Sequence, residues 1–198
     1  IFRENETPTP SSVYGNTIAA AEFFIQRSCL NYIIYRCCPI FGRSYNYRDL
    51  KWTEVIERNE YLGKKIVCDT KVYTGFIDVG SLSDYVVKGI ELDVTNKLIQ
   101  VSSSDMMNRY EFAKTYLEVF GGNTGLLSKG DWDFPRTENQ IALQSVGDEL
   151  RFSMDVFNIQ KEFEVTMPTI QQSIEKYKKS LEGSIKTSRR ASGGVQFI

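Results

Sequence analysis

The chain is predicted to be α/β with a partly parallel sheet. Short β-rich runs alternate along it with stretches of helical periodicity. The strand-like runs are Asn31–Cys37, Lys65–Asp69, Val72–Val79 and Lys97–Ser102. Helical stripes stand between them, and capping residues and glycines mark the helix ends. With 198 residues, 41% of them hydrophobic, the chain can bury one sizeable core.

Each element has a local reason. Residues 1–12 are polar and held extended by Pro8 and Pro10. Ser11 or Ser12 then caps a helix running to about Arg27, on which Tyr14, Ile18, Ala21 and Ile25 recur on one face. Asn31–Cys37 reads as a buried strand that breaks into a loop at Phe41-Gly42-Arg-Ser. A helix is expected from about Leu50 to Tyr61, closed by Gly63, then a short strand at Lys65–Asp69 and an extended stretch at Val72–Val79.

Ser81-Leu-Ser-Asp84 resembles a capping box, and Leu82, Tyr85, Val86, Gly89 and Ile90 form one face of the helix after it. Lys97–Ser102 is strand-like. Asn108 caps the next helix, with Ala113, Tyr116, Leu117 and Phe120 as its core stripe and Gly121-Gly122 as its stop. Residues 125–147 read as irregular. A last helix has Pro168 in its first turn and Ile170, Ile174, Tyr177 and Leu181 as its stripe. The organisation expected is one body over 1–182 and a flexible tail over 183–198, basic and Gly/Ser-containing from Lys186 onward.

Composition narrows the function. Twenty-four basic and 25 acidic residues leave a formal charge of −1, which draws neither nucleic acid nor an anionic membrane. No apolar run reaches the length of a membrane span, and no signal peptide is visible, so a cytoplasmic protein is expected. The chain opens on Ile1 rather than Met, as a fragment or a processed chain would. It has no histidine, which removes Ser-His-Asp and Cys-His catalysis and most zinc sites; no metal is expected. The four cysteines, Cys29, Cys37, Cys38 and Cys68, form no C-x-x-C pair and read as reduced, buried or half-buried thiols.

No strand runs through a Gly-x-Gly-x-x-Gly turn into a helix, and Gly121-Gly122-Asn-Thr-Gly125 follows a helix and serves as its stop. The chain therefore carries no phosphate cradle of its own. Asp131-Trp-Asp133 reads as a solvated turn sooner than a cation site, and Arg189-Arg-Ala-Ser192 matches a basic-directed kinase pattern.

Five segments in order carry a resemblance. They are Glu6-Thr-Pro-Thr-Pro10 with Tyr14-Gly-Asn-Thr and Glu22; Ile33-Ile-Tyr-Arg36 with Ile40-Phe41-Gly42; Asn108–Ala113 through Phe120-Gly121; Pro135-Arg136 with Asn139 and Leu143; and Met167-Pro-Thr-Ile170. Together they resemble extended short-chain dehydrogenases, dTDP-4-dehydrorhamnose reductases above all, over about residues 4–182 and in the family's C-terminal half only. The resemblance implies the C-terminal part of an NAD(P)-binding Rossmann-like fold with its small substrate-binding subdomain. It implies Tyr14 as the catalytic acid, Phe41 and Gly42 beside the cofactor, and Arg43 and Arg136 beside a nucleotide-sugar substrate. Arg36 is a strand-end residue or a second substrate ligand.

The family's lysine, four residues after the tyrosine, is Ile18 here. An unperturbed tyrosine has a pKa of about 10, so roughly one in a thousand is ionised near pH 7. A lysine one turn along favours the tyrosinate and isoleucine cannot. The resemblance thus implies a nucleotide-sugar reductase or epimerase homologue that is incomplete or inactive as it stands, its partner being a nucleotide sugar or a dehydrogenase half supplied elsewhere. The alternative is a non-catalytic binding or regulatory subunit derived from a dehydrogenase. A sheet cut at its middle leaves a bare strand edge, so a homodimer is expected.

Overall fold

A computed structural model describes residues 1–28, 31–44, 50–130 and 149–192, with side chains to Gly183. It is α/β, as predicted, and each strand pair is parallel. β1 (Ile33–Cys37) pairs with β6 (Lys97–Val101) in register from Ile33↔Lys97 to Cys37↔Val101. β2 (Ile40–Phe41) pairs with β5 (Ile77–Asp78), β3 (Ile66–Cys68) with β7 (Leu127–Lys129), and β4 (Val72–Thr74) with β8 (Leu150–Phe152). The helices between them are α1 (Val13–Ser28), α2 (Trp52–Tyr61), α3 (Val79–Glu91), α4 (Arg109–Phe120), α5 (Phe157–Phe163) and α6 (Ile170–Ser192).

Two apolar clusters hold these layers together. In one, Phe112, Tyr116 and Leu117 of α4 meet Ile170, Ile174 and Tyr177 of α6 over Phe41, Ile56 and Phe76. The rings interlock edge to face: Phe41 stands 5.2 Å from Phe112 and 5.7 Å from Tyr177. In the other cluster, Ile99 and Val101 of β6 meet Ile77, Ile159, Phe163 and Met167. The apolar stripes predicted for α4 and α6 are the buried ones. The cap of α4 is also as predicted: Asn108 Oδ1 accepts from Glu111 N at 2.8 Å, and Gly121 ends the helix at φ 76°.

Two expectations are corrected. First, α3 starts at Val79, not after Ser81, because the buried Asp78 carboxylate accepts from Ser81 N at 2.8 Å and takes the cap position. Ile90, predicted to lie on its core face, is 71% exposed. Second, the stretch from 125 is not wholly irregular: Leu127–Lys129 is β7, and β8 and α5 follow before the last helix. α6 runs to Ser192, and 193–198 lie outside the described residues.

On α1 the face shared by Tyr14, Ile18, Ala21 and Ile25 is the exposed one. No residue of α1 is buried; Gly15, Ala19 and Glu22 are its half-buried positions, while Tyr14, Ile18 and Ile25 are exposed. The cause is electrostatic. Glu22 forms a two-point pair with Arg36 on β1, Nε to Oε2 at 2.9 Å and Nη2 to Oε1 at 2.5 Å. Gly15 adds a steric reason, because a Cβ there would lie 2.8 Å from Pro10 Cβ.

Candidate functional site

Parallel strands carry their binding sites where the carboxyl ends open into loops. Here the ends of β1 and β6 open into a cavity of about 480 Å³. Its floor is Arg36, Cys37, Cys38 and Pro39 with Gln100, and Thr74, Phe152 and Met154 close one side. The remaining wall is the N-terminal segment, through Phe2, Arg3 and Glu6–Pro10.

That segment is fastened at two points. Phe2 bridges to the segment after β8, its N–H donating to Ser153 O at 2.8 Å and its carbonyl accepting from Asp155 N at 2.9 Å. Its ring stacks on Phe152 at 6.1 Å. Glu4 then bonds the sheet: Gln100 N donates to Glu4 Oε1 at 2.6 Å, and Asn158 Nδ2 donates to Oε2. Arg36 Nη1 reaches the Glu4 carbonyl at 3.5 Å.

The cavity's thiols are weak nucleophiles. Burial pushes Cys37 and Cys38 up to about 11. Cys68, away from the cavity in the α4–α6 core, is raised by burial to about 12. Cys37, Cys38 and Cys68 are free, as expected; Cys29 lies outside the described residues. Among the described residues no acidic or thiol cluster could hold a metal.

The residues singled out from the sequence are scattered. Tyr14 is 76% exposed and Ile18 52% exposed on the outer face of α1, and neither lines the cavity. Phe41 is buried inside the aromatic cluster. Gly42 is also buried: its carbonyl accepts from Thr53 Oγ1 at 3.5 Å, and a Cβ there would meet Val79 Cγ1 at 2.6 Å. Arg43 is exposed, and its charge acts on the buried phenols of Tyr116 and Tyr177 rather than on the cavity. Tyr116 donates to Glu57 Oε1 at 2.5 Å, and burial together with that bond raises its pKa. Tyr177 is pushed up to about 12, by burial first.

Arg36 alone of these lines the cavity, held by Glu22. Arg136, with Asp131, Trp132, Asp133 and Phe134, lies outside the described residues, as do the side chains of Arg189–Ser192. Sequence reasoning passed over Glu4, Gln100, Thr74, Phe152, Met154 and Asn158. Only Gln100 carried a signal, as a polar residue inside the apolar run Leu98–Val101.

No family model matches the chain, and no curated protein matches it in sequence. Solved structures do match in shape. The dTDP-4-dehydrorhamnose reductase of Bacillus anthracis str. Ames, in complex with NADP, superposes with a TM-score of 0.72 at 17% identity, over 90% of this chain and 58% of that one. The dTDP-glucose 4,6-dehydratase of the same organism, in complex with NAD, gives 0.68 at 15% over 92% and 56%. The UDP-N-acetylglucosamine 4-epimerase of Bacillus cereus gives 0.63 at 16% over 89% and 57%. The chain shares the α/β fold of part of each of these structures. The chain spans less than two thirds of the length of these structures.

Among the described residues, those expected beside a nicotinamide dinucleotide do not form a site for it: the Phe41 ring is in the core, the Gly42 carbonyl is bonded, and position 18 is an exposed isoleucine. What the chain's own residues supply is the cavity floor, its polar rim and the N-terminal wall. No helix among the described residues is long and apolar enough to cross a membrane.

Proposed function

We propose that the chain is the substrate-binding portion of a nucleotide-sugar reductase or epimerase, of the kind acting on 4-keto-6-deoxy sugars, and that it is inactive as it stands. The observation that carries this reading is the cavity at the carboxyl ends of β1 and β6, in a fold shared with the three nucleotide-sugar enzymes above. Its stacked Phe2 and Phe152 suit a planar ring, and its Thr7, Thr9 and Thr74 hydroxyls suit a sugar. Arg136 would meet the diphosphate, as an arginine fork does.

Catalysis is a separate matter. Tyr14 as proton donor would work beside a cation one turn along the helix, and Ile18 supplies none. Calorimetry with dTDP-glucose and with NADPH tests the reading. The expected outcome is binding of the sugar nucleotide, with no oxidation of NADPH when a 4-keto sugar nucleotide is added. Absence of binding to both dTDP-glucose and UDP-N-acetylglucosamine sinks it.

One observation favours a companion reading in which a second α/β body completes the assembly. α1 has no buried residue and exposes Val13, Tyr14, Ile18, Phe23 and Phe24, and β1 has only β6 as a strand neighbour among the described residues. Copurification of a dehydrogenase half in fixed ratio would support a non-catalytic subunit. A homodimer in light scattering would put a second copy there, and a well-behaved monomer counts against both.

A further inference from the structure

Among the described residues, Glu4 is the side chain that fastens the cavity's wall to its floor. Its carboxylate accepts from Gln100 N of β6 at 2.6 Å and from Asn158 Nδ2, and its carbonyl accepts from Arg36 Nη1 at 3.5 Å. These donors come from three separate places in the fold: a strand amide, a side-chain amide in the first turn of α5, and a guanidinium at the end of β1. They converge on one residue. A backbone N–H, an amide and a guanidinium edge are together a seat for an anionic oxygen group.

The seat also has slack. Arg36 spends Nε and Nη2 on Glu22 at 2.9 and 2.5 Å, so Nη1 is its remaining edge, and its present acceptor stands at the outer limit of a hydrogen bond. A second observation points the same way. Gln100 is 1% exposed, lines the cavity, and has a buried Oε1 without a hydrogen-bond partner among the described residues. A buried acceptor left over beside an occupied set of donors fits a ligand that brings both an anionic group and a hydroxyl.

We propose that Glu4 occupies this seat as an internal stand-in, so that residues 1–10 form a displaceable plug. An anionic ligand carrying a neighbouring hydroxyl competes with it for Gln100 N, Asn158 Nδ2 and Arg36 Nη1. The ligand chemistry rests on the cavity reading above; the plug itself does not. The segment is lightly held among the described residues: those other than Glu4 and Pro10 are exposed, and besides Glu4 it is fastened at Phe2, by two backbone hydrogen bonds and the ring stack on Phe152.

The test compares the full chain with its Glu4→Ala, Glu4→Gln and Asn158→Ala variants, using amide exchange without ligand and calorimetry with inorganic pyrophosphate and glucose 1-phosphate. Glu4→Ala is expected to speed exchange at the Gln100 amide and across 1–10 at least about tenfold, and to bind both probes about tenfold more tightly than the unaltered chain. Glu4→Gln, which keeps the shape and loses the charge, falls between. Asn158→Ala loosens the segment but weakens the probes, separating a seat from a mere latch. Equal affinity in the Glu4 variants and the unaltered chain overturns the seat, and unchanged exchange at Gln100 overturns the plug. If dTDP-glucose fails to bind any variant while glucose 1-phosphate shows the gain, the substrate reading falls and the seat stands.

Discussion

The Glu22–Arg36 pair sets which way α1 faces, and cutting it gives the sharpest stability prediction. Arg36 keeps 20% of its side chain exposed and Glu22 12%, with two hydrogen bonds between them. A fully exposed pair is worth about 0–1 kcal/mol, and stripping one partner from a fully buried pair costs about 3–5 kcal/mol. With roughly a fifth of the arginine still in water, Glu22→Ala is expected to cost about 2 kcal/mol, which is roughly a thirtyfold shift in the folding equilibrium. The penalty comes from leaving a half-buried guanidinium without its carboxylate.

Replacing both partners, Glu22→Leu with Arg36→Met, removes both charges at once and is expected to land within about 1 kcal/mol of the unaltered chain. Urea unfolding of the unaltered chain, Glu22→Leu, Arg36→Met and the double variant gives a double-mutant cycle, and with each single change costing about 2 kcal/mol the expected coupling is about 3 kcal/mol. Strictly additive costs would refute the account of α1's orientation. So would Glu22→Ala costing less than about 0.5 kcal/mol.

Further outcomes follow from other contacts. Gly89→Ala places a Cβ 2.4 Å from Tyr35 Oη and 3.1 Å from Phe163 Cζ, so despite better helix propensity it should destabilise by about 1–2 kcal/mol; Tyr35→Phe should recover part of that, and a stabilised Gly89→Ala protein contradicts the packing. The raised thiols make stability depend on alkaline pH. A thiol held above its ordinary value near 9 stabilises the fold fully below that pH, and the contribution drains away as pH rises through about 11 for Cys37 and Cys38. The difference in melting temperature between the unaltered chain and Cys38→Ala should therefore narrow from about pH 8 to about pH 11, and a constant difference would count against it. Ile18→Lys lies on an exposed face and should change stability by less than about 0.5 kcal/mol, with no gain in NADPH oxidation by this chain alone; turnover appearing in that variant would overturn the inactive reading. Tyr116→Phe removes the 2.5 Å bond to Glu57 and should cost about 1–2 kcal/mol in thermal unfolding, where a neutral result would mean the bond contributes nothing.

What the sequence made legible was local. Asn108 and Gly121-Gly122 announce the two ends of α4, and the stripe Ala113, Tyr116, Leu117 and Phe120 needs only a period of 3.6. On α1 periodicity grouped Tyr14 and Ile18 on one face but could not say which face is covered: the body offers α1 an arginine and a proline, and Glu22 and Gly15 meet them. β8 and α5 were missed because three and seven residues are too short to show a period. The cavity was not legible because its fastening joins residues 96 and 154 positions apart in the chain, Glu4 to Gln100 and to Asn158.

A motif read in one dimension, Tyr14 through Ile18, points to a catalytic helix packed over a cofactor. In three dimensions that helix presents those side chains to solvent and anchors itself through Glu22, a residue of the same motif whose partner Arg36 is the floor of the cavity. The residues that still engage the site are thus the ones that position elements: Glu22 on α1, Arg36 at the end of β1, Glu4 in the N-terminal wall. The residues that would carry a proton or a cofactor are exposed, as Tyr14 is, or buried in the core, as Phe41 is. Under the function proposed above, a chain whose Tyr14 and Phe41 stand apart from the cavity holds a ligand, and reducing it would require another body to bring the rest of the machinery to the outer face of α1.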